Sequence, residues 1–297
     1  MLAPESEPKY KRPVIYKTIQ EPVILRELLA NDVFLLGGQF AILCQWAHPG
    51  LAKGSLSRSN FASRIPGRLR NTARFVNAAL YGTQEEKEAI FSVIHRYHAS
   101  VHGPGYDAND PELHKWTAAT LFVSMVLVYE IIMGEMPIDV MTDMFKESAI
   151  WGTSLRMAPE MWPDTLDEFW EYWNYNIATL EITDEARQLC QALLYPSNLP
   201  LHFHAMLPIS RLITSNILPA RLAKEYSLEP SPSSKALFQV VTYGLSTGFY
   251  WLPESVRQFR HRYYLEDLKK AAAKIRDTGH WGQASEGNAG EPKLHRL

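Results

Sequence analysis

A chain of 297 residues that is 46% hydrophobic, with 8 Trp, 14 Tyr and 12 Phe, can bury a sizeable core. Its formal net charge of −2 excludes nucleic acid as the main partner, because no phosphate-neutralising excess of Lys and Arg exists. Two cysteines, Cys44 and Cys190, stand in apolar periodic segments and read as reduced core residues.

Helical spacing and helix-end chemistry run through the chain. Pro22–Ala30 predicts a short first helix and Val33–Ala47 a second. From Pro66 to Tyr81 the residues Leu69, Ala73, Val76 and Leu80 keep helical spacing, and Gly82 closes the segment. Thr83-Gln84-Glu85-Glu86 is a capping box that opens a helix to about Val101. Asp110-Pro111-Glu112 is a strong helix start, and the apolar helix it opens ends at Gly134. Pro137–Leu155, Leu166–Leu180, Asp184–Leu194, Pro200–Thr214, Pro219–Tyr226, Ser234–Gly248 and Pro253–Ile275 complete the series. The strip Trp170, Trp173, Ile177 and Leu180 reads as core.

No alternating strand run with hairpin chemistry stands out, and no internal repeat divides the chain. The expected fold is therefore all-α, a single large multi-helix domain over 21–276, preceded by an arm over 1–20. A tail over 277–297, with four Gly, two Ala and two Glu, is expected to be disordered. Its His280-Trp281 reads as solvated, with docking as the alternative.

Met1–Arg12 is polar and punctuated by proline, unlike a signal peptide. Val33–Ala47 carries Gln39 and Gln45, and Leu121–Val128 runs towards Glu130, so neither reaches the roughly 18 apolar residues of a spanning helix. No transmembrane segment is expected. The expected location is cytoplasmic, with contact to a membrane surface left open.

The most informative stretch is His95 to Leu113. His95, His98 and His102 stand at i, i+3 and i+7, one helical face, before a glycine-broken turn and the capped helix start. Such a cluster serves a metal or haem, or consists of hydrogen-bonded structural histidines. His202 and His204, near a second helix start, allow a pocket or a metal site, but structural roles read more simply. The sequence contains no GxGxxG, GxxxxGK[ST], HExxH or CxxC, and no Glu-x-x-His helix rich in carboxylates. Haem stays open, because one neutral imidazole on a helix can ligate its iron.

Three ordered segments carry a resemblance: Ala47-His48-Pro49-Gly50-Leu51-Ala52-Lys53-Gly54-Ser55, then Gly67-Arg68-Leu69-Arg70-Asn71-Thr72, then His98 to Leu121. Over about His48 to Leu121 the chain resembles the MpaB/latex-clearing-protein family, once catalogued as a domain of unknown function. Weaker echoes are Met161-Trp162-Pro163, Phe169 to Trp173, and Trp251-Leu252-Pro253. The family includes rubber oxygenases and fungal enzymes that cleave prenyl side chains in natural-product pathways.

The resemblance implies a b-type haem in a pocket between helices, with the family's proximal histidine falling on His98. It places the family's Arg-x-x-x-Thr pair on Arg68 and Thr72, where an arginine fork suits a propionate or bound oxygen and a hydroxyl can orient dioxygen. Without the resemblance, Arg68 is a surface ion-pair partner and Thr72 an ordinary helix residue. His95 follows as a second cofactor contact or a structural residue, His102 as the alternative ligand, and Tyr106 as a hydroxyl aimed at the haem. Asp110 reads as a helix cap. The chain departs from the rubber oxygenases at two positions: Ala52 and Asn71 stand where they carry a catalytic glutamate and a distal lysine. No N-terminal membrane anchor of the kind common in the fungal proteins is expected.

The expected activity is a haem-dependent oxygenase or oxidase, consuming dioxygen and acting on an apolar small molecule of terpenoid or polyketide type. Arg68 and Thr72 would stabilise charge developing on oxygen. A non-redox cyclase, dehydratase or isomerase, or a non-catalytic haem or lipid carrier, are the alternatives.

Overall fold

A local side-chain cap starts six of the helices among the described residues, but the first is capped from a distance. α1 (Ile24–Leu29) has no cap of its own; buried Glu147 instead accepts from the amides of Ile24 at 3.1 Å and Leu25 at 2.8 Å. The computed structural model describes residues 7–57, 61–196 and 201–281, with the side chains of 61–66 and 201–206 outside that description.

The helix expected over Val33–Ala47 is split into a 3-10 turn, Asp32–Gly37, and α2 (Gly38–Trp46). The cause is close packing: a Cβ on Gly37 would lie 3.1 Å from Val128 Cγ2 and 3.2 Å from the Ser124 carbonyl. α3 (Pro49–Leu56), absent from the sequence expectation, starts where His48 Nδ1 accepts from the Gly50 amide at 3.1 Å. α4 (Phe61–Tyr81) starts earlier than Pro66. α5 (Gln84–Ala99) opens on the expected capping box, with Thr83 and Glu86 satisfying each other's backbone amides.

A short antiparallel hairpin follows, which the sequence reading missed. β1 (His102–Gly103) pairs with β2 (Tyr106–Asp107) around Pro104-Gly105, where Gly105 has a φ of +81°. Proline then glycine is the sequence of a type II turn. Two residues per strand are too few for alternation to show. α6 (Pro111–Met133) is capped by Asp110, whose Oδ1 accepts from the Glu112 amide at 2.9 Å, and it ends at Gly134.

α6 is the axis of the fold. α2, α7 (Ile138–Thr153) and the 3-10 turn pack around it. It is the one helix among the described residues long and apolar enough to cross a membrane, and most of its apolar stretch is buried inside the protein. α8 (Leu166–Thr179) supplies an aromatic core, with Trp173 stacked 5.1 Å from Trp116 and Phe169 edge-on to Phe122 at 4.9 Å. Trp173 is core, as the strip predicted. Cys44 and Cys190 are both buried and free.

α9 (Asp184–Leu194), α10 (Leu201–Ile217), α11 (Ala220–Glu225) and α12 (Pro232–Phe249) close the far side, α12 lying on α6 and α10. The helix expected from Pro253 is broken into α13 (Glu254–Arg257) and α14 (Phe259–Thr278). Asp32 decides that break, accepting from the amides of Arg260 at 2.7 Å and His261 at 2.9 Å and so capping α14. α14 crosses α4 and α5, tied by Arg74, which donates to both carboxylate oxygens of Asp267 at 2.7 and 3.1 Å.

The tail expected from residue 277 is ordered further than composition suggested. α14 continues to Thr278, Gly279 turns the chain with a φ of +79°, and Arg74 covers the Trp281 ring at 5.4 Å. Residues 282–297 lie outside the described residues.

Candidate functional site

Four pieces of chain converge on His98: the last turn of α5, the hairpin, the first turn of α6 and the C-terminal corner of α7. The hairpin turns the chain by packing on itself, since a Cβ on Gly103 would meet the Tyr106 ring at 2.7 Å. Val101 and Ala108 close it through an amide–carbonyl bond of 2.9 Å. That reversal returns α6 so that the His114 ring stacks on His98 at 6.0 Å and 26°.

The three imidazoles differ in how they are held. His95 is buried, lies against Phe91 at 6.1 Å, and donates from Nε2 to the Ser154 carbonyl at 3.0 Å. His114 donates from Nε2 to the Ala108 carbonyl at 2.9 Å, which leaves its Nδ1 unprotonated and without a partner. His98 has a solvent-excluded Nδ1 with no hydrogen-bond partner, although the residue as a whole keeps partial exposure. Burial holds the His98 imidazole down to about 3, helped by the positive field of His114, His95, Arg156 and Arg68. His95 is held down to about 4 by burial, against its bond to the Ser154 carbonyl. Both rings are therefore neutral at pH 7, the form that can ligate a metal.

Sequence reasoning missed His114 and Arg156. His114 carried a signal, a histidine in the first turn of the helix returning after the glycine turn. Arg156 carried none. It closes α7 with a φ of +78°, a left-handed conformation that costs a non-glycine residue roughly 1–2 kcal/mol, and its guanidinium donates to Asn109 Oδ1. Gly152 permits the corner, because a Cβ there would lie 2.7 Å from the Met157 sulfur.

The other expected site residues fall as follows. Arg68 and Thr72 share an exposed face of α4, and Arg68 is close enough to His98 to act on its charge. His102 is exposed on β1, turned out of the cluster. Tyr106 lays its ring over Gly103 and over Gly54 of α3, where a Cβ would stand 3.5 Å from the ring. Ala52 is fully buried, and Asn71 accepts from Arg74 at 3.3 Å. The side chains of His202 and His204 lie outside the described residues. Two apolar cavities, of about 400 and 290 Å³, share no residue with the histidine cluster.

Residues 25–247 match the family described as ER-bound oxygenase mpaB/B'/Rubber oxygenase, catalytic domain. The chain belongs to this family. The match runs from α1 into α12 and so contains the whole histidine cluster. Membership makes oxygenation, an oxidoreductase chemistry consuming dioxygen and a small-molecule substrate, the family-level activity. The chain is also similar to two mycobacterial proteins, the uncharacterized protein Rv2237 of Mycobacterium tuberculosis and the uncharacterized protein Mb2261 of Mycobacterium bovis. Each is 24% identical over 238 residues, covering 77% of this chain and 93% of the relative. No solved structure matches the chain.

The family's cofactor can be tested against the residues themselves. Among the described residues no group of three or more His, Cys, Asp or Glu could hold a bare metal ion. A haem asks less of the protein: one neutral imidazole, with cations near its carboxylates. His98, neutral and with an orphaned nitrogen, and the charges of Arg68 and Arg156 acting on it fit that demand.

Proposed function

We propose that this oxygenase-family protein holds haem b through His98 and oxidises an apolar small molecule of terpenoid or polyketide type. The supporting observation is the buried, unpartnered Nδ1 of a neutral His98. An unsatisfied buried polar atom costs about 1–3 kcal/mol, so it calls for an explanation, and a cofactor on this ring supplies one. Bound haem would supply iron-centred dioxygen chemistry.

The chain's own residues have distinct tasks in this reading. His114 stacks on His98 and fixes its ring plane, while Ala108 fixes the plane of His114. His95 braces the α5 turn against α7 through Ser154. Arg68 and Thr72, on the open face of α4, stabilise negative charge where dioxygen is reduced, or Arg68 anchors a propionate.

An absorption spectrum of the purified protein tests the reading. A Soret band is expected, and His98→Ala should lose it while keeping the helical circular dichroism. Full haem occupancy in that variant would move the ligand to His102 or His95.

The two departures at Ala52 and Asn71 favour a second reading. With the acid replaced by a buried methyl and Asn71 bonded to Arg74, the scaffold would suit a non-redox cyclisation, dehydration or isomerisation. Turnover of a candidate substrate without dioxygen separates the two, and haem binding without turnover would indicate a carrier.

A further inference from the structure

One stretch of the chain, from α12 to the first turns of α14, is unlike the rest. Of the eighteen exposed large hydrophobic residues among the described ones, nine lie between Leu237 and Tyr263. They include Tyr243, Tyr250, Trp251, Val256, Phe259 and Tyr263, and Trp251, at the turn between α12 and α13, is 84% exposed. Scattered apolar residues need no explanation, but a concentration of this kind marks an interaction surface.

The patch is held on rigid supports. α12 is fixed to α6 by Ser246, whose hydroxyl donates to the Ile132 carbonyl at 2.8 Å, and α14 is fixed by its Asp32 cap and the Arg74–Asp267 pair. The exposure of its aromatic residues therefore belongs to the folded state.

Charge indicates the partner. From Lys235 to Tyr263 the ionised residues are Lys235, Arg257, Arg260 and Arg262 against Glu254 alone, a net +3 in a chain of net −2. Arg257 lies over the Phe249 ring at 4.8 Å, and Glu254 sits 3.7 Å from Arg262. We propose that the α12–α14 face is a membrane-docking surface that seats on anionic lipid, with Trp251 and Phe259 entering the headgroup–acyl boundary and the arginines on lipid phosphates. Tyr and Trp with basic residues is the composition that settles at such a boundary.

A second copy of the chain fits this face less well. A two-fold pairing would set two net-positive patches against each other. Residues 282–297 contain only two large apolar side chains, Leu294 and Leu297, too few to cover it. The face also opens inward. Leu237 belongs both to the patch and, with Val241, to the lining of the apolar cleft of about 400 Å³ between α10 and α12. A lipid-dissolved molecule would reach that cleft without crossing water. The docking itself does not depend on haem.

Co-sedimentation of the full-length protein with vesicles tests the proposal. Vesicles of phosphatidylcholine with one third phosphatidylglycerol should pellet the protein, and pure phosphatidylcholine vesicles should pellet far less. Trp251→Glu combined with Phe259→Glu should cut binding to anionic vesicles roughly tenfold or more, because two charges must enter the boundary. An unchanged thermal midpoint in that variant separates lost docking from lost folding, and raised salt should weaken wild-type binding. Equal pelleting of the variant and wild type would overturn the proposal. So would a wild type that ignores vesicles, whether monomeric or dimeric by sedimentation equilibrium; a dimer broken by the variant would make the face a protein interface.

Discussion

A ring nitrogen closed off from water and left without a partner costs the folded state free energy, and His98 Nδ1 carries that cost at a point where three other chain segments meet. Its neighbours are held differently: His95 and His114 each donate through Nε2 to a main-chain carbonyl, which makes them braces, although His114 Nδ1 also lacks a partner. Arg68 and Thr72 stand on the exposed face of α4. Arg68→Ala and Thr72→Ala should therefore leave the thermal midpoint nearly unchanged. If they act on charge developing at oxygen, each should lose on the order of 2–4 kcal/mol of transition-state stabilisation, read from kcat/KM. A faster haem dissociation confined to Arg68→Ala would make that residue a propionate anchor. Unchanged turnover in both variants would reduce this face of α4 to a wall.

Among the elements, α1 and α14 owe their starts to carboxylates far away in sequence. Glu147 sits on α7 and caps α1, being 1% exposed and bonded to two amides. Its removal would leave both amides buried and unpaired. Glu147→Ala should cost about 3 kcal/mol in urea unfolding, and Glu147→Gln, which keeps an acceptor, about half as much. A cost below about 1 kcal/mol for the alanine variant would show that water replaces the cap. Asp32 does the same for α14, and through it supports the exposed face around Phe259.

For the whole molecule, buried neutral histidines couple stability to pH. Burial lowers His95 to about 4 and also lowers His48 and His261, so the folded protein binds fewer protons than the unfolded chain below pH 6.5. Unfolding is then favoured as pH falls through that window, and stability gains nothing more from these groups above about pH 7. The thermal midpoint should drop between pH 7.5 and 5. His95→Gln, which can still donate to the Ser154 carbonyl, should flatten part of the slope. A midpoint that is level across this range would contradict neutral burial of these rings.

The sequence alone determined what depends on near neighbours. The Thr83 capping box, the Asp110 cap and the glycine stop at Gly134 are local hydrogen-bond or backbone effects, and all three appear where expected. The all-α class followed from spacing repeated over many segments, and the family from the ordered motifs between His48 and Leu121. Only the tertiary structure decided the rest, because it depends on partners distant in the chain. The break at Gly37 needs Ser124 and Val128, and the break before Phe259 needs Asp32. The neighbours of His98 needed a two-residue hairpin too short to show alternation and an arginine in a left-handed corner that no pattern marks. The separation of His102 from His95 and His98 has the same origin: α5 stops at Ala99, and the hairpin carries His102 off the helical face that spacing alone assigned to it.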